Sequence, residues 1–407
     1  MGKNLLVGQS GGPTAAINAS LAGVISEGIK SKEIDKVYGT RYGVEGIIKE
    51  NLIDLSFFKD EEKIELLKQT PSAYLGSCRK KLPDIKKDTS IYEKIYEVFK
   101  KYDIGYFFYI GGNDSMDTVN KLSKYFSEKD LDVKIIGVPK TIDNDLALTD
   151  HTPGFGSAAR FVANTVKQVA HDNRVYDMES ITILEIMGRN AGWLTAAAAL
   201  ANDENHTFCD IICLPEVSFD IDKFVAKIEE IISKKKHVII AISEGIKNEK
   251  GELFCDASTN LRESNDGFNH AQLGGAGKTL ELILKDRLKW KTRSIELSTL
   301  QRCFSISGSE TDIEESFTVG MQAVKYALNG YTGVMIGYVR KDTKDYEIEY
   351  APFDTDKVAN FEKSVPCDMI TEDGFFVTEK FYEYARPLIE GTRDIIYNDG
   401  IIDTMII

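Results

Sequence analysis

The sequence predicts an α/β protein built on parallel β-sheets. Three features predict it. Short apolar runs alternate with amphipathic segments, the runs are apolar throughout rather than at every second residue, and polar, glycine-bearing loops follow them directly. A continuous apolar run suits a strand covered on both faces, which is how parallel sheets are buried. At 407 residues the chain is long enough for two such domains sharing one interface. No low-complexity linker separates two independent halves, so the domains are expected to be discontinuous, with the chain crossing between them more than once.

In chain order, strands are expected at 4–7, 36–38, 106–110, 134–138, 180–186, 211–214, 237–243 and 333–339. Helices are expected at 15–30, 91–102, 116–127, 158–177, 191–201, 221–235, 273–290 and 313–329. In open α/β sheets ligands bind beyond the carboxyl ends of the strands. Five strand-end loops here carry polar residues, and together they point to one cleft.

The first is Gly8-Gln9-Ser10-Gly11-Gly12-Pro13-Thr14. Adjacent glycines let backbone N–H groups approach an anion, and the helix that follows adds a favourable dipole; the same residues also serve a plain β-α turn. The spacing is not that of a dinucleotide fingerprint. The second loop, Gly111-Gly112-Asn113-Asp114-Ser115, repeats the design and adds oxygen ligands for Mg²⁺, although Asp114 or Ser115 can equally cap the next helix. The third, Pro139-Lys140-Thr141-Ile142-Asp143-Asn144-Asp145, places a lysine and two carboxylates together. A carboxylate beside a lysine stays ionised and able to accept a proton, while the lysine can neutralise a phosphoryl group in transfer. The fourth, Met187-Gly188-Arg189-Asn190, offers Arg189 as a phosphate fork or as a surface ion-pair partner. The fifth, Ser243-Glu244-Gly245, places Glu244 to accept from sugar hydroxyls or to cap a helix.

Gly274-Gly275-Ala276-Gly277-Lys278-Thr279 looks like a P-loop but has Gln272 where that motif needs glycine, and no strand precedes it. It is expected to be a glycine-rich helix entry. Cys78, Cys209, Cys213, Cys255, Cys303 and Cys367 are scattered, without the spacing of a zinc site, and are expected to be reduced thiols. A net charge of −14 argues against nonspecific nucleic-acid binding, and no apolar run reaches membrane-span length. The N-terminal run has no cleavage or myristoylation pattern, so a cytoplasmic location is expected.

These loops, in this order and spacing, resemble the 6-phosphofructokinases across about residues 4–340, and Thr141-Ile142-Asp143-Asn144-Asp145 is the most specific segment. The resemblance implies two Rossmann-like α/β/α domains with the active site between them. It implies a phosphate-donor domain of residues 1–153 plus about 311–365, and a sugar-phosphate domain of 154–310 plus 366–407. It also implies phosphoryl transfer to the C1 hydroxyl of fructose 6-phosphate with Mg²⁺. By resemblance, Asp143 is the general base, and Lys140, Thr141 and Arg189 act with it. Gly11, Gly12, Arg79, Asp114, Ser115 and Lys140 face the donor. Thr141, Asp143, Met187, Gly188, Arg189, Glu244, Thr299 and Arg302 face the sugar phosphate. Asn113, Asp114 and Asp145 face the metal.

ATP-using members have glycine at the positions of Asp114 and Lys140. Asp114 puts bulk and negative charge where the α-phosphate of ATP lies, and Lys140 adds a cation for a short diphosphate. The chain therefore resembles the pyrophosphate-dependent members, which implies diphosphate–fructose-6-phosphate 1-phosphotransferase activity, EC 2.7.1.90. Two residues depart from the ATP-type pattern. Asn113 stands where the family's usual metal-binding aspartate is, and Ser180 where ATP-type enzymes carry an arginine that reaches the neighbouring subunit's substrate. The family resemblance implies a homodimer or homotetramer. Residues beyond about 342 carry no motif that can be read.

Overall fold

The computed structural model describes residues 2–129, 131–254 and 275–407. Two sheets carry the fold. The strands of the first, in chain order, are β1 (Lys3–Gln9), β2 (Ile34–Thr40), β3 (Leu52–Asp54), β4 (Ile104–Gly111) and β5 (Lys134–Pro139). The second sheet then takes β6 (Ser180–Ile186), β7 (Ile211–Cys213), β8 (His237–Ser243) and β9 (Lys291–Glu296). The chain returns to the first sheet for β10 (Val334–Arg340) and β11 (Ile348–Asp354). The orders are β11-β10-β5-β4-β1-β2-β3 and β7-β8-β6-β9. All pairings are parallel except those of the two edge strands β3 and β11. Both sheets are covered by helices on both faces, as their apolar runs require. Phe108 packs into the core with helices Ile17–Lys30 and Glu310–Leu328, and neighbouring Phe107 into the opposite one with Ser90–Lys101 and Asn113–Ser127. Each such ring contributes about 1.5–3 kcal/mol by leaving water.

Register places the site. Gln9 pairs with Ile110, and Gly111 with Pro139, so the loops after β1, β4 and β5 leave the first sheet at one level. Ile186 pairs with Ser243, which sets Met187 beside Glu244 at the end of the second sheet.

Several expectations are corrected. β3, β9 and β11 were not anticipated. β9 alternates charged and small residues, and β11 is an edge strand containing Pro352, which only an edge tolerates. The helix expected at 191–201 is a single α-turn, Trp193–Ala196, continued as a 3₁₀ helix, Ala197–Ala201. The helix expected at 158–177 runs Phe155–Asn173, entered from Gly154 at φ 103. Of the glycine-rich helix entry, Gly274 and Gln272 lie outside the described residues, as does Cys255. Its described part forms the helix Ala276–Leu288, whose first turn already holds an anion: the Glu185 carboxylate of β6 accepts from Gly275 N at 3.1 Å and Gly277 N at 2.7 Å. The segment beyond 360 wraps the second sheet's core through Val365, Val377, Phe381 and Leu388. Its last residues, Ile396, Asp403 and Met405, hydrogen-bond back to Gln69 and Thr70 beside the first sheet. Among the described residues no helix is long and apolar enough to cross a membrane.

Candidate active site

The loops after β1, β4, β5, β6 and β8 line one cavity of about 1100 Å³. Gly11 and Gly12 form its floor. A Cβ on Gly12 would lie 3.4 Å from Arg302 Nη1 and 4.0 Å from Arg79 Nη2, in ordinary contact with both guanidinium groups. A Cβ on Gly11, which sits at φ 77, would lie 3.3 Å from Lys140 Nζ. Three cations thus converge on the glycine pair. Lys140 is buried and donates to Gly12 O at 2.5 Å. Burial pushes its ammonium down to about 8, and the charges of Arg79 and Arg302 push the same way against the pull of Asp143 and Asp145. Arg79 is lowered too, by burial and by Arg302, with Asp114 opposing. These like charges raise one another's energy, and a polyanion in the cleft would lower it.

Arg79 owes its place to a buried amide pair. Gln9 Nε2 donates to Asn18 Oδ1 at 2.9 Å, while Gln9 Oε1 and Asn18 Oδ1 accept from the backbone of Leu75 and Tyr74. Asn18 Nδ2 holds the carbonyls of Thr70 and Ser72. Ser77 Oγ then donates to Gly11 O at 2.6 Å, which joins this loop to the glycine turn.

Asp143 and Asp145 face the cations from the loop after β5. That loop leaves the sheet with Lys140 N on Gly111 O and is held by Thr141 N on Pro153 O and by Thr152 Oγ1 on Thr141 O. Thr141 Oγ1 accepts from Asp143 N at 3.1 Å. Burial raises both carboxyls; Lys140 and Thr141 counteract this at Asp143, while Asp143 and Glu362 reinforce it at Asp145. Across the cleft, Glu244 Oε1 accepts a long bond from Gly188 N at 3.4 Å, and burial pushes its carboxyl up to about 7. Gly245 beside it is obligatory, since a Cβ there would lie 1.9 Å from Arg189 O.

Of the residues singled out from sequence, Gly11, Gly12, Arg79, Asn113, Asp114, Ser115, Lys140, Thr141, Asp143, Asp145, Met187, Arg189, Glu244 and Arg302 line this cavity. Gly188 and Thr299 do not; Gly188 supplies backbone to Glu244 and to Ser243 Oγ, and Ser298 takes the lining position next to Thr299. Asn113 is spent on structure. Its Nδ2 donates to Phe361 O and its Oδ1 accepts from Asn360 N, both at 2.8 Å. Asp114 is paired with Lys81 at 2.9 Å. Sequence reasoning passed over Lys81, Asn360 and Glu362, which also line the cavity. Glu362 accepts from Asn190 Nδ2 at 3.0 Å, and Lys363 N donates to Asp145 O at 2.8 Å, so the 360–363 segment ties the loops together. The sole available signal for Lys81 was its place two residues after Arg79.

The phosphofructokinase family model matches residues 4–327. A pyrophosphate–fructose 6-phosphate 1-phosphotransferase of Methylococcus capsulatus is 39% identical over 98% of this chain and 95% of its own length. The protein of that name in Xanthomonas campestris is 41% identical over 98% and 94%. The crystal structure of a pyrophosphate-dependent phosphofructokinase from Nitrosospira multiformis superposes with a TM-score of 0.89 at 37% identity, covering 100% of this chain and 96% of that one. Its two-sheet architecture, its motif loops and these near full-length relatives place the chain in the phosphofructokinase family.

Proposed function

We propose that the protein transfers a phosphoryl group reversibly from pyrophosphate to the C1 hydroxyl of fructose 6-phosphate, giving fructose 1,6-bisphosphate and phosphate. The observation that carries this reading is the crowding of Arg79, Lys140 and Arg302 around Gly11–Gly12, with Asp143 and Asp145 opposite. A compact, highly charged diphosphate relieves the repulsion among the three cations, and Asp143 receives the hydroxyl proton. The C1 oxygen forms the new bond to phosphorus as the bridging P–O bond breaks, and the bridging oxygen departs with the leaving phosphate. Lys140 and the arginines stabilise charge on the transferring group and the leaving group. Arg189 and Glu244 hold the sugar phosphate, with Glu244 accepting from sugar hydroxyls and Met187 and Thr141 shaping the pocket. The names of the near full-length relatives support both substrates.

Asp114 and Lys140 support pyrophosphate over ATP. The Lys81 pair offsets much of the charge of Asp114, so its bulk in the donor channel is the stronger obstacle to a nucleotide. Mg²⁺ fits the site through Asp145, raised in free energy by its carboxylate neighbours Asp143 and Glu362. Among the described residues no group of three or more His, Cys, Asp or Glu side chains is arranged to hold a metal ion. Mg²⁺ commonly takes one or two carboxylates and completes its shell with water and phosphate oxygens. When bound, it would neutralise diphosphate charge. With Asn113 engaged by residues 360–361, we assign the metal to Asp145 and the diphosphate rather than to Asn113.

We further propose residues 1–153 with about 311–365 as the donor domain, 154–310 with 366–407 as the sugar-phosphate domain, and a cytoplasmic homodimer or homotetramer. The catalytic assignment is tested by Asp143→Ser: turnover should fall at least about a hundredfold while both substrates still bind. Turnover within a few-fold of the unaltered protein would refute the assignment.

A further inference from the structure

The C-terminal helix Glu379–Ala385 carried no readable motif, yet one of its side chains reaches the catalytic loop. We propose that Tyr384 is a positioning residue that fixes the loop bearing Asp143 and Asp145; the inference rests on the reading of Asp143 as the base. Asn144, between the two carboxylates, is fully buried and sits at φ 54, in the left-handed region. That turn lets residues 143 and 145 both line the cleft while the side chain between them points into the protein. Asn tolerates this backbone better than most residues, but tolerance does not select it. Tyr384 does. Asn144 Nδ2 donates to the Tyr384 hydroxyl at 2.7 Å, and that hydroxyl donates to Asp150 O at 2.7 Å. Thr152 Oγ1 reaches Asn144 Oδ1 only at 3.4 Å, so the phenol is the short contact to the Asn144 side chain.

The phenol is itself braced. Its ring lies 5.0 Å from that of Trp193, centre to centre, and the Arg340 guanidinium stands 4.8 Å over it. Arg340 Nη2 also donates to Tyr384 O at 3.0 Å and pairs with Asp150 at 3.0 Å. Asp150 in turn meets His151 Nδ1 at 2.8 Å, and His151 Nε2 meets Glu315 at 2.7 Å. The catalytic loop is therefore anchored, through one hydroxyl, to a buried polar network reaching β10 and the helix Glu310–Leu328. Displacement of a reacting group by about 1 Å can cost on the order of a hundredfold in rate, so a loss of this anchor is expected to appear in turnover rather than in substrate affinity.

Tyr384→Phe keeps the ring and removes only the hydroxyl. It should lower kcat about tenfold or more while leaving KM for both substrates within about twofold, a split set by near-attack geometry. Asn144→Gly, which accepts the same φ, should give a similar fall. In the double variant the two falls should not multiply, because both remove one contact. An unchanged kcat in Tyr384→Phe, a KM that rises in step with any fall, or a double variant as slow as the product of the singles would each overturn the proposal. Asp143→Ser separates the two readings: if it is inactive while Tyr384→Phe is unaffected, only the anchor fails, whereas an active Asp143→Ser overturns the base assignment itself.

Discussion

Replacing Lys140 by methionine removes one charge and little volume from the centre of the site. The residue is only 3% exposed, and its ammonium bonds to Gly12 O at 2.5 Å and approaches a Cβ position on Gly11 to 3.3 Å. A buried cation at this place cannot be replaced by solvent, so the loss falls on the charge that develops on the transferring phosphoryl. Removing one preorganised stabiliser of this kind costs about 2.7–4 kcal/mol, or 10²–10³ in kcat. Two further consequences follow. Because the Lys140 ammonium is pushed down to about 8, kcat/KM for pyrophosphate should decline as pH rises through that value in the unaltered protein, and this alkaline limb should vanish in the methionine variant. Lys140→Arg should not rescue fully, since a planar guanidinium fork does not reproduce the compact point charge that the ammonium places beside Gly12 O. Steady-state rates from pH 6 to 10, at saturating Mg²⁺ and sugar phosphate, read all three (a pH range of about this width brackets the shift). A methionine variant within threefold or so of the parent rate would refute the role given to Lys140.

Glu244 should make stability depend on pH. Its carboxyl rises from 4.5 to about 7 on folding, so the folded form holds a proton that the unfolded form releases, and stability is lost as pH rises between those values. Glu244→Gln should therefore raise the midpoint of thermal unfolding at pH 8 more than at pH 5, while KM for the sugar phosphate rises; scanning calorimetry at both pH values decides it, and a difference that does not grow with pH would contradict the sign. Asn113→Ala removes two exposed hydrogen bonds, to Phe361 O and from Asn360 N, and water can then serve both backbone groups; it should lower stability by only about 0.5–1.5 kcal/mol and leave the Mg²⁺ dependence of the rate within about twofold. A large rise in the Mg²⁺ requirement would return Asn113 to the metal.

What could be read from sequence divides along physical lines. The strands β1, β4, β5, β6 and β8 are continuous apolar runs ending in glycine or polar loops, so Gly11, Gly12, Asp143, Arg189 and Glu244 could be placed at one cleft before any coordinates. Lys291-Thr292-Arg293-Ser294-Ile295-Glu296 could not be read as a strand, because its pairing partner β6 rather than its own apolarity holds it in the sheet. Asn113 illustrates a second limit. Its residue type suits both a ligand and an anchor, and the choice is made by Asn360 and Phe361, which no local pattern connects to it. Glu362 reaches the cleft by the same route, on a segment without periodicity. Thr299 lies one position from the lining residue Ser298, at the start of a short helix whose register the local sequence does not define. Tyr384 escaped because its partner, Asn144, lies in another part of the chain altogether.

The central claim is that the crowded cations and the bulk of Asp114 select a diphosphate. The most direct test is kcat/KM measured side by side with pyrophosphate and with ATP, under saturating fructose 6-phosphate and Mg²⁺. Pyrophosphate should give a value at least about a hundredfold above that for ATP, the ratio expected when one half-buried obstacle, Asp114, and one buried cation, Lys140, both act on the donor. A higher value with ATP would contradict it.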